Sequence, residues 1–191
     1  MNTQFQLLSL SEEHFTDVIQ LGNLVHGDGY LFPDTIAAIH RKGIKDELNS
    51  SFVLYHDELL VGFRLTYAPN NWQLDRWSTP ELWPVDQKEV AYFKCNTIHP
   101  DYQGKGLGGK LLSESISVLK KMGAKAGLSH IWMQSPGNAS FKYFTKAGGI
   151  LIKTHPRRWY EDESLPDYVC IICGKDCHCD ASEMILEFDK W

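Results

Sequence analysis

The sequence lacks a long run of apolar residues, and no stretch approaches the ~18 consecutive apolar positions that a membrane-spanning helix needs. It also lacks an excess of basic residues, since 19 lysines and arginines stand against 24 acids and the formal net charge is −5. A general nucleic-acid binder would carry a clustered basic face. The first residues lack the basic-then-apolar order of a secretory signal. We therefore expect a soluble cytoplasmic protein with no membrane or nucleic-acid partner and with reduced cysteines unless metal holds them.

The remaining composition is that of an ordinary globular protein, with 191 residues, 43% hydrophobic and 23% charged. Its length predicts a single domain over residues 1–191. The apolar periodicities predict a mixed α/β pattern with strand-rich ends. The predicted helices run from Ser11 to the region of Gly22–Gly29, from Pro33 to Gly43, over 107–122 and near 138–147. The predicted strands cover 4–10, 51–56, 59–67, 90–98, 128–134, 149–155, 167–173 and 183–188.

A glycine-rich segment joins the strand at 90–98 to the helix at 107–122. It reads Gln103-Gly104-Lys105-Gly106-Leu107-Gly108-Gly109-Lys110. A helix start presents unpaired backbone N–H groups and a partial positive charge. Glycines let the chain turn tightly and let a phosphate approach those groups. The segment therefore predicts an anion site, and a plain turn is the weaker interpretation.

Two nucleotide-binding patterns match this segment incompletely. Gly104, Gly106 and Gly109 fit the dinucleotide pattern, but the next predicted strand does not end in the acid that would hold a ribose. Gly104, Gly109 and Lys110 nearly fit the triphosphate loop, but Leu111 stands where that loop needs a magnesium-binding hydroxyl. We reject both interpretations.

A third pattern, Q/R-x-x-G-x-G/A, is satisfied by Gln103, Gly106 and Gly108. Here the sequence resembles the GNAT superfamily of acyl-CoA-dependent acetyltransferases. The order of elements is similar over most of the chain, although only Ile98–Gly109 is specific. The resemblance implies an α/β (α+β) fold with a mixed, mostly antiparallel central sheet flanked by helices. It also implies acetyl-CoA as a co-substrate.

The resemblance further implies which residues bind that cofactor. The backbone of the glycine-rich segment would cradle the pyrophosphate, the strand end before it would pair with the pantetheine arm, and an asparagine after the next strand would contact the arm. An exposed strand edge suits an arm that carries amide groups. The residues implied are Asn96, Ile98, Gln103, Gly104, Lys105, Gly106, Leu107, Gly108 and Asn138.

The catalytic acid of the family has no direct counterpart in this sequence. The family usually has a tyrosine four residues before the glycine at Gly148, and this sequence has Phe144 there. Tyr143 is adjacent, but neighbours on a helix point about 100° apart. Tyr143 is therefore a candidate general acid, and a packed aromatic is the rival interpretation.

The catalytic base is also open. An amine must lose a proton before it attacks a thioester, and the family often uses a strand glutamate for this. The corresponding position holds Tyr92, while Glu89 lies on the opposite face if side chains alternate. Glu89, Tyr92 and His99 are the candidates, each with a structural role as the alternative. Positioning alone can supply much of the rate, so a missing base does not exclude the activity.

Residues 68–87 lack periodicity but are rich in tryptophan. The three tryptophans are Trp72, Trp77 and Trp83. One hypothesis is a lid over the acceptor site with Asp75 and Glu81 as amine partners, because aromatic faces attract cations. The rival hypothesis is a hydrophobic cluster that pins a long loop.

Four cysteines near the end of the chain follow the spacing of a zinc knuckle: Cys170, Cys173, Cys177 and Cys179. A hairpin turn at Gly174–Asp176 would place Cys170 on the face opposite the other three. A cysteine-rich strand pair is therefore the preferred interpretation over zinc, and we expect that no metal is required.

Taken together, the sequence predicts an N-acetyltransferase that uses acetyl-CoA and a primary amine of a small molecule or peptide. It leaves a homodimer open and does not select the acceptor. The alternative from another class is a non-catalytic acyl-CoA-binding or zinc-stapled interaction module, which the unusual catalytic positions support.

Overall fold

The computed structural model describes residues 5–160 and 168–191, which form a sheet with helices on both faces. The strands are β1 (Phe5–Ser9), β2 (Ile44–Lys45), β3 (Leu48–Asn49), β4 (Phe52–His56), β5 (Leu59–Tyr67), β6 (Val90–Ile98), β7 (Ala126–Trp132), β8 (Ile150–His155) and β9 (Ala181–Glu187). The α-helices are α1 (Phe15–His26), α2 (Pro33–Lys42), α3 (Leu107–Lys121) and α4 (Ala139–Lys146).

Seven strands form the large sheet in the order β1-β4-β5-β6-β7-β9-β8, while β2 and β3 pair with each other. Neighbouring strands of the large sheet run antiparallel except for β6 and β7. Helix α3 makes the crossover that a parallel pair requires. The predicted mixed, mostly antiparallel sheet flanked by helices is confirmed.

The helices cover the sheet through apolar stripes. Helices α1 and α2 pack on one face around Ile36 and Phe63, and α3 and α4 pack on the other around Leu112 and Phe93. We call these the α1 face and the α3 face. None of the helices in the described ranges is long and apolar enough to cross a membrane.

Helix α3 is the element that the sequence predicts most clearly. Its buried side chains recur at helical spacing: Leu107, Leu111, Leu112, Ser115, Ile116 and Leu119. Lys120 and Lys121 lie in its last turn, where a positive charge is favourable. Gly123 follows with a φ of 86°, a conformation that glycine takes without strain.

Strand β6 carries a β-bulge at Lys94, where its register against β5 shifts by one residue. Cys95 pairs with Leu65 and Tyr92 pairs with Tyr67, and both of these β5 residues belong to the core of the α1 face. Tyr92 and Cys95 therefore point to the same face, although simple alternation over three residues would separate them. A bulge also bends the strand and increases its twist.

Strands β6 and β7 pair with each other over three residues only. Their ladder starts at Val90 and ends at Tyr92, whereas on its other side β6 pairs with β5 as far as Ile98. The hydroxyl of Ser129 donates to the carbonyl of Phe93 at 3.0 Å just beyond the last pair. Past that point, no strand among residues 5–160 and 168–191 pairs with the β7 side of β6. We call this space the strand gap.

Three strand predictions differ from the structure by two residues or more, and one of them is β9, which covers 181–187 instead of 183–188. Strand β7 covers 126–132 instead of 128–134. The strand predicted at 167–173 is wrong for its described part, since Cys170 and Gly174 close a turn there, and residue 167 lies outside the described residues. Ile171 and Ile172 gave that segment the composition of a strand, but both are exposed.

Candidate active site

The glycine-rich segment lies at the open end of the strand gap, between β6 and α3. Gly104 and Gly106 have φ values of 74° and 77°, and a Cβ on either would meet open space. Gly106 is the N-cap of α3. The first N–H groups of a helix have no partner within that helix, and they lie at the positive end of its dipole. The segment can therefore hold a diphosphate with its backbone.

Side chains fix this segment to the end of β6. The Nε2 of Gln103 donates to the carbonyl of Ile98 at 3.2 Å, and the Nζ of Lys105 donates to the carbonyl of Asp101 at 3.0 Å. The same ammonium lies 4.5 Å from the centre of the Tyr102 ring. Lys105 is exposed and thus brings a positive charge to the loop of a chain that is negative as a whole.

A buried arginine on β5 lies beneath the start of α3. The side chain of Arg64 is 1% exposed, and its guanidinium carbon lies 4.2 Å from the centre of the Phe93 ring. One nitrogen, Nη1, donates to the hydroxyl of Tyr143 at 3.3 Å. The Nε atom has no hydrogen-bond partner in the described part of the chain. Burial lowers the pKa of Arg64, and Tyr143 acts in the opposite direction.

Tyr143 ties α4 to the first turn of α3. Its hydroxyl donates to the carbonyl of Gly108 at 2.9 Å. Burial raises the pKa of Tyr143, while the charge of Arg64 works against this rise. Phe144, at the position of the usual tyrosine, is 1% exposed and meets Phe93 edge-on in the core. The hydroxyl beside the glycine-rich segment is therefore that of Tyr143.

Two asparagines predicted to bind the cofactor differ in their surroundings. The Nδ2 of Asn96 lies where a Cβ on Gly108 would approach to 3.0 Å, and its Oδ1 is buried with no partner among the described residues. An unpaired buried acceptor costs about 1–3 kcal/mol. An N–H group of a ligand could pair with it. Asn138 is the exposed N-cap of α4 and has a φ of 53°.

Tyr92 lies on the α1 face where the β6–β7 ladder ends. Its ring stacks on Tyr67 at 5.7 Å and contacts Trp72 at 5.1 Å. Its hydroxyl is 3.0 Å from Nδ1 of His130, whose Nε2 is 2.7 Å from the carbonyl of Trp77. Because a carbonyl only accepts, Nε2 carries a proton, and Nδ1 of the neutral ring can accept one. Burial lowers the pKa of His130, which favours that neutral ring.

The two other predicted bases lie away from Tyr92. The Oε1 of Glu89 is 2.7 Å from Nζ of Lys125, and Glu89 precedes the paired end of β6, about 10 Å along the strand from Tyr92. His99 follows β6 at the glycine end, and its Nδ1 accepts from the backbone of Asp101 at 3.3 Å. The structure brings neither side chain together with the Tyr92 hydroxyl.

Glu183 fastens the tryptophan-rich segment 68–87 to the sheet. Its carboxylate, fully buried on β9, accepts from the backbone N–H and the hydroxyl of Thr79 at 2.9 and 2.7 Å. It also accepts from Nε1 of Trp83 and lies 2.9 Å from Nε2 of His155. Burial alone would raise the pKa of Glu183, but these hydrogen bonds lower it.

The tryptophans of this segment pack as the rival hypothesis predicts. Trp83 is buried with Val90, and the Nε1 of Trp72 donates to the carbonyl of that same valine at 2.9 Å. Asp75 forms an ion pair with Arg158 at 3.2 Å. The segment is therefore a pinned hydrophobic cluster, and Trp72 extends it to the Tyr92 ring.

A polar cluster on the α1 face borders the open part of β6. The Nε2 of His26 is 2.8 Å from the hydroxyl of Thr97, which is 3.0 Å from the sulfur of Cys95. His26 also packs against Tyr30 with ring centres 4.3 Å apart. Burial, with a contribution from the charge of Lys94, lowers the pKa of His26 to about 4. The imidazole is therefore neutral at pH 7.

Sequence reasoning missed Arg64, His130 and Glu183. The signal for two of them was available, because Arg64 interrupts the apolar run of β5 and Glu183 interrupts that of β9. Charged residues are almost never fully buried without compensation. A charge in the middle of an apolar strand thus indicates a partner elsewhere in the chain.

Solved structures with the same fold come from several bacteria. The ribosomal-protein-S18-alanine N-acetyltransferase of Escherichia coli has a TM-score of 0.66 at 15% identity, covering 97% of this chain and 94% of that one. An N-acetyltransferase of Staphylococcus aureus Mu50 has a TM-score of 0.68 at 14% identity, with coverage of 97% and 99%. The protein yncA of Salmonella typhimurium, solved with its cofactor acetyl-CoA, has a TM-score of 0.65 at 17% identity, with coverage of 98% and 95%.

Sequence comparison identifies the family. No curated protein sequence matches the chain significantly. The profile described as Acetyltransferase (GNAT) family matches residues 16–149, which include the strand gap, the glycine-rich segment and both helices of the α3 face. The chain therefore belongs to the GNAT family of acetyltransferases.

Proposed function

We propose that this protein transfers an acetyl group from acetyl-CoA to a primary amine of a small molecule or a peptide. The observation that carries the proposal is that, beyond Phe93, no strand in the described part of the chain pairs with the β7 side of β6, and that this edge ends at the glycine-rich segment. Acetyl-CoA matches this arrangement, since it carries a diphosphate followed by a long arm with amide groups. A helix start can bind the diphosphate, and an open strand edge can pair with the amides.

The proposed cofactor site uses main-chain groups more than charge. The backbone of residues 103–108 would hold the pyrophosphate, with Lys105 adding one positive charge. The edge formed by residues 96–98 would pair with the arm, and the unpaired Oδ1 of Asn96 would accept from an N–H group of the ligand. Asn138 would contact the arm from the start of α4. Acetyl-CoA bound in this way supplies a thioester that a neutral amine can attack at its carbonyl carbon.

The acceptor amine would approach from the α1 face, beside Tyr92. The proton that leaves the amine would pass to Tyr92 as the phenolic proton moves to Nδ1 of His130. This route gives Tyr92 the role that the family usually assigns to a glutamate. Glu89 would stay in its ion pair with Lys125. Tyr143 remains the candidate that returns a proton to the leaving thiolate, and the charge of Arg64 offsets part of the rise that burial causes in its pKa.

The second candidate function is a non-catalytic acyl-CoA-binding module. The buried Phe144 at the position of the usual acid and Tyr92 at the position of the usual base favour it. This candidate keeps the cofactor site and loses the chemistry, so the two functions differ in turnover and agree in binding.

Calorimetry and a thiol-release assay distinguish these functions. We expect heat on titration with acetyl-CoA and release of free thiol in the presence of at least one amine of a panel of amino acids, polyamines and peptides. Binding without thiol release across the panel would support the module instead. An absence of heat with acetyl-CoA would contradict both.

A further inference from the structure

We propose that Cys170, Cys173, Cys177 and Cys179 bind one structural zinc ion. The four sulfur atoms all lie within 4.8 Å of one another. Four thiolates at about 2.3 Å from a zinc ion stand about 3.8 Å apart in a tetrahedron. The sulfur atoms of Cys173 and Cys179 are 3.6 Å apart. The protein chain thus already holds these sulfur atoms within about 1 Å of the separation that a tetrahedral site needs, or closer.

The backbone around Cys170 forms a closed turn and not the hairpin strand that the sequence suggested. The N–H of Cys170 donates to the carbonyl of Gly174 at 3.1 Å, and the N–H of Gly174 donates back at 2.9 Å. Gly174 has a φ of 67°, and the N–H of Ile172 lies 3.5 Å from the sulfur of Cys170. This looped turn removes the argument against zinc, because it brings Cys170 and Cys173 to the same side. N–H groups that point at a sulfur also orient it as a metal ligand.

Three of the four cysteines are buried, and Cys173 is half-buried. Cys170, Cys177 and Cys179 are each at most 3% exposed, and the cluster packs against Trp132, Trp159 and Tyr168. None of the cysteines in the described residues forms a disulfide. Between residues 168 and 180 the described chain has no helix or named strand. A metal that binds four ligands contributes folding free energy to such a segment.

In a second group of metal-binding residue types, hydrogen bonds within the protein already use the ligand atoms. One nitrogen or oxygen each of His130, His155 and Glu183 also lie within 4.8 Å of one another. However, the carboxylate of Glu183 is already used by Thr79, Trp83 and His155, and both nitrogens of His130 are engaged. That group is a hydrogen-bond network, whereas the cysteine cluster offers four sulfur ligands.

The proposed zinc would fix one wall of the α1 face. The hydroxyl of Tyr168 donates to the carbonyl of His26 at 3.0 Å, and the N–H of Val169 donates to the carbonyl of Asp28 at 3.0 Å. At the other end of the segment, the N–H of Asp180 donates to Oε1 of Gln134 at 2.9 Å, next to the end of β7. The zinc would therefore connect the end of α1 to the end of β7. Four sulfur ligands leave no open position, so its role is structural and not catalytic.

Metal analysis of the full chain tests this proposal. We expect one equivalent of zinc per chain in protein purified with reduced thiols, and the same in Cys95→Ser, which removes a buried cysteine outside the cluster. We expect loss of zinc in Cys173→Ser and in Cys177→Ser. Zinc that remains in both of these variants, or that is lost in Cys95→Ser, would contradict the assignment.

Cobalt substitution in the wild-type chain gives a second readout that does not depend on the folding of variants. Co²⁺ added to metal-free, reduced protein should produce the strong thiolate-to-metal absorption and the visible bands of a tetrahedral sulfur site, and zinc should abolish them. Absence of these bands, a disulfide among the four cysteines in mass spectra, or stoichiometric iron in place of zinc would overturn the proposal. None of these measurements involves acetyl-CoA, so the result stands apart from the proposed transferase activity.

Discussion

The hydrogen bond between the hydroxyl of Tyr92 and Nδ1 of His130 crosses from β6 to β7 next to the last backbone pair of that ladder. Tyr92 is paired with Leu128, so His130 lies two residues further along β7, where the two strands have begun to part. These two side chains thus connect β6 and β7 just beyond the last backbone pair of the ladder. In the proposed mechanism, this hydroxyl and this imidazole receive the proton of the acceptor amine.

Tyr92→Phe should keep the stacked ring and remove the proton route. We expect kcat to fall by roughly 100-fold or more, as for loss of a general base, while KM for acetyl-CoA stays unchanged. Steady-state thiol release measures both constants. Tyr67→Phe is the matched control, because Tyr67 stacks on the same ring at 5.7 Å, and it should retain kcat. A wild-type kcat in Tyr92→Phe would exclude Tyr92 from the chemistry.

Gly106→Ala should weaken acetyl-CoA binding through the shape of the glycine-rich segment. Gly106 and Gly123 both have a positive φ and open space around a Cβ, so alanine at either should cost about 1–2 kcal/mol of stability. Only the change at Gly106 lies at the start of α3, and there we expect affinity to fall by about tenfold or more, that is 1.4 kcal/mol. Urea unfolding and calorimetry provide the two measurements. Equal losses of affinity in Gly106→Ala and Gly123→Ala would show that general destabilisation is the cause.

Glu183→Gln should loosen the tryptophan-rich segment. The carboxylate accepts from Thr79, Trp83 and His155, and an amide would turn a donor toward donors, so we expect a loss of about 3 kcal/mol in the free energy of unfolding. Glu187→Gln is the control, since its pair with Lys190 at 3.6 Å is a surface i,i+3 contact worth less than about 1 kcal/mol. Urea titrations at pH 7 measure both values.

The pH dependence of this loss follows from the lowered pKa of Glu183. The carboxylate contributes its stability fully above the ordinary carboxyl pKa of 4.5 and loses it as the pH falls through the lowered value. The difference between wild type and Glu183→Gln should therefore shrink below pH 4.5. If the difference in the free energy of unfolding stays constant as the pH falls, the charge of Glu183 is not the cause of the stabilisation.

His26 should make the fold sensitive to mild acid. Its pKa is about 4 in the fold against 6.5 for an exposed imidazole, so below pH 6.5 the unfolded chain binds the extra proton. The free energy of unfolding should fall between pH 6.5 and pH 4, by up to about 3 kcal/mol from this group alone. His26→Gln keeps a polar partner for Thr97 and should flatten the curve. The lowered pKa of His130 acts in the same direction, so the difference between wild type and variant measures His26; identical curves would assign the slope to other groups.

The local elements of this fold could be predicted from the sequence, because their signals are local. The stripe of α3, its stop at Gly123 and the glycines at its start all lie within about twenty residues. The strand gap could not be predicted in this way, since it depends on where β7 stops pairing with β6. Simple alternation also fails at Lys94, where the bulge places Tyr92 and Asn96 on opposite faces although they are four residues apart.

The polar parts of the candidate site depend on pairs that are distant in sequence. Thr79 and Glu183 are 104 residues apart, and Arg64 and Tyr143 are 79 apart. The sequence shows that a residue such as Arg64 or Glu183 is unusual at its position, but it does not show which distant residue pairs with it. The cysteine cluster shows the opposite case: its spacing indicates a metal site, whereas a hairpin turn at Gly174–Asp176 argues against one, and the structure closes the turn between Cys170 and Gly174 instead.

The bulge at Lys94 lies two residues beyond the last pair that β6 forms with β7. A bulge bends its strand, and beyond Tyr92 no strand in the described part of the chain pairs with the β7 side of β6. An extended ligand that pairs with this edge would therefore break no existing ladder. The conformational entropy lost on binding would come mainly from the flexible ligand and not from the protein. Selectivity at this edge would then depend on how well the hydrogen-bonding groups of a ligand match the backbone groups of β6.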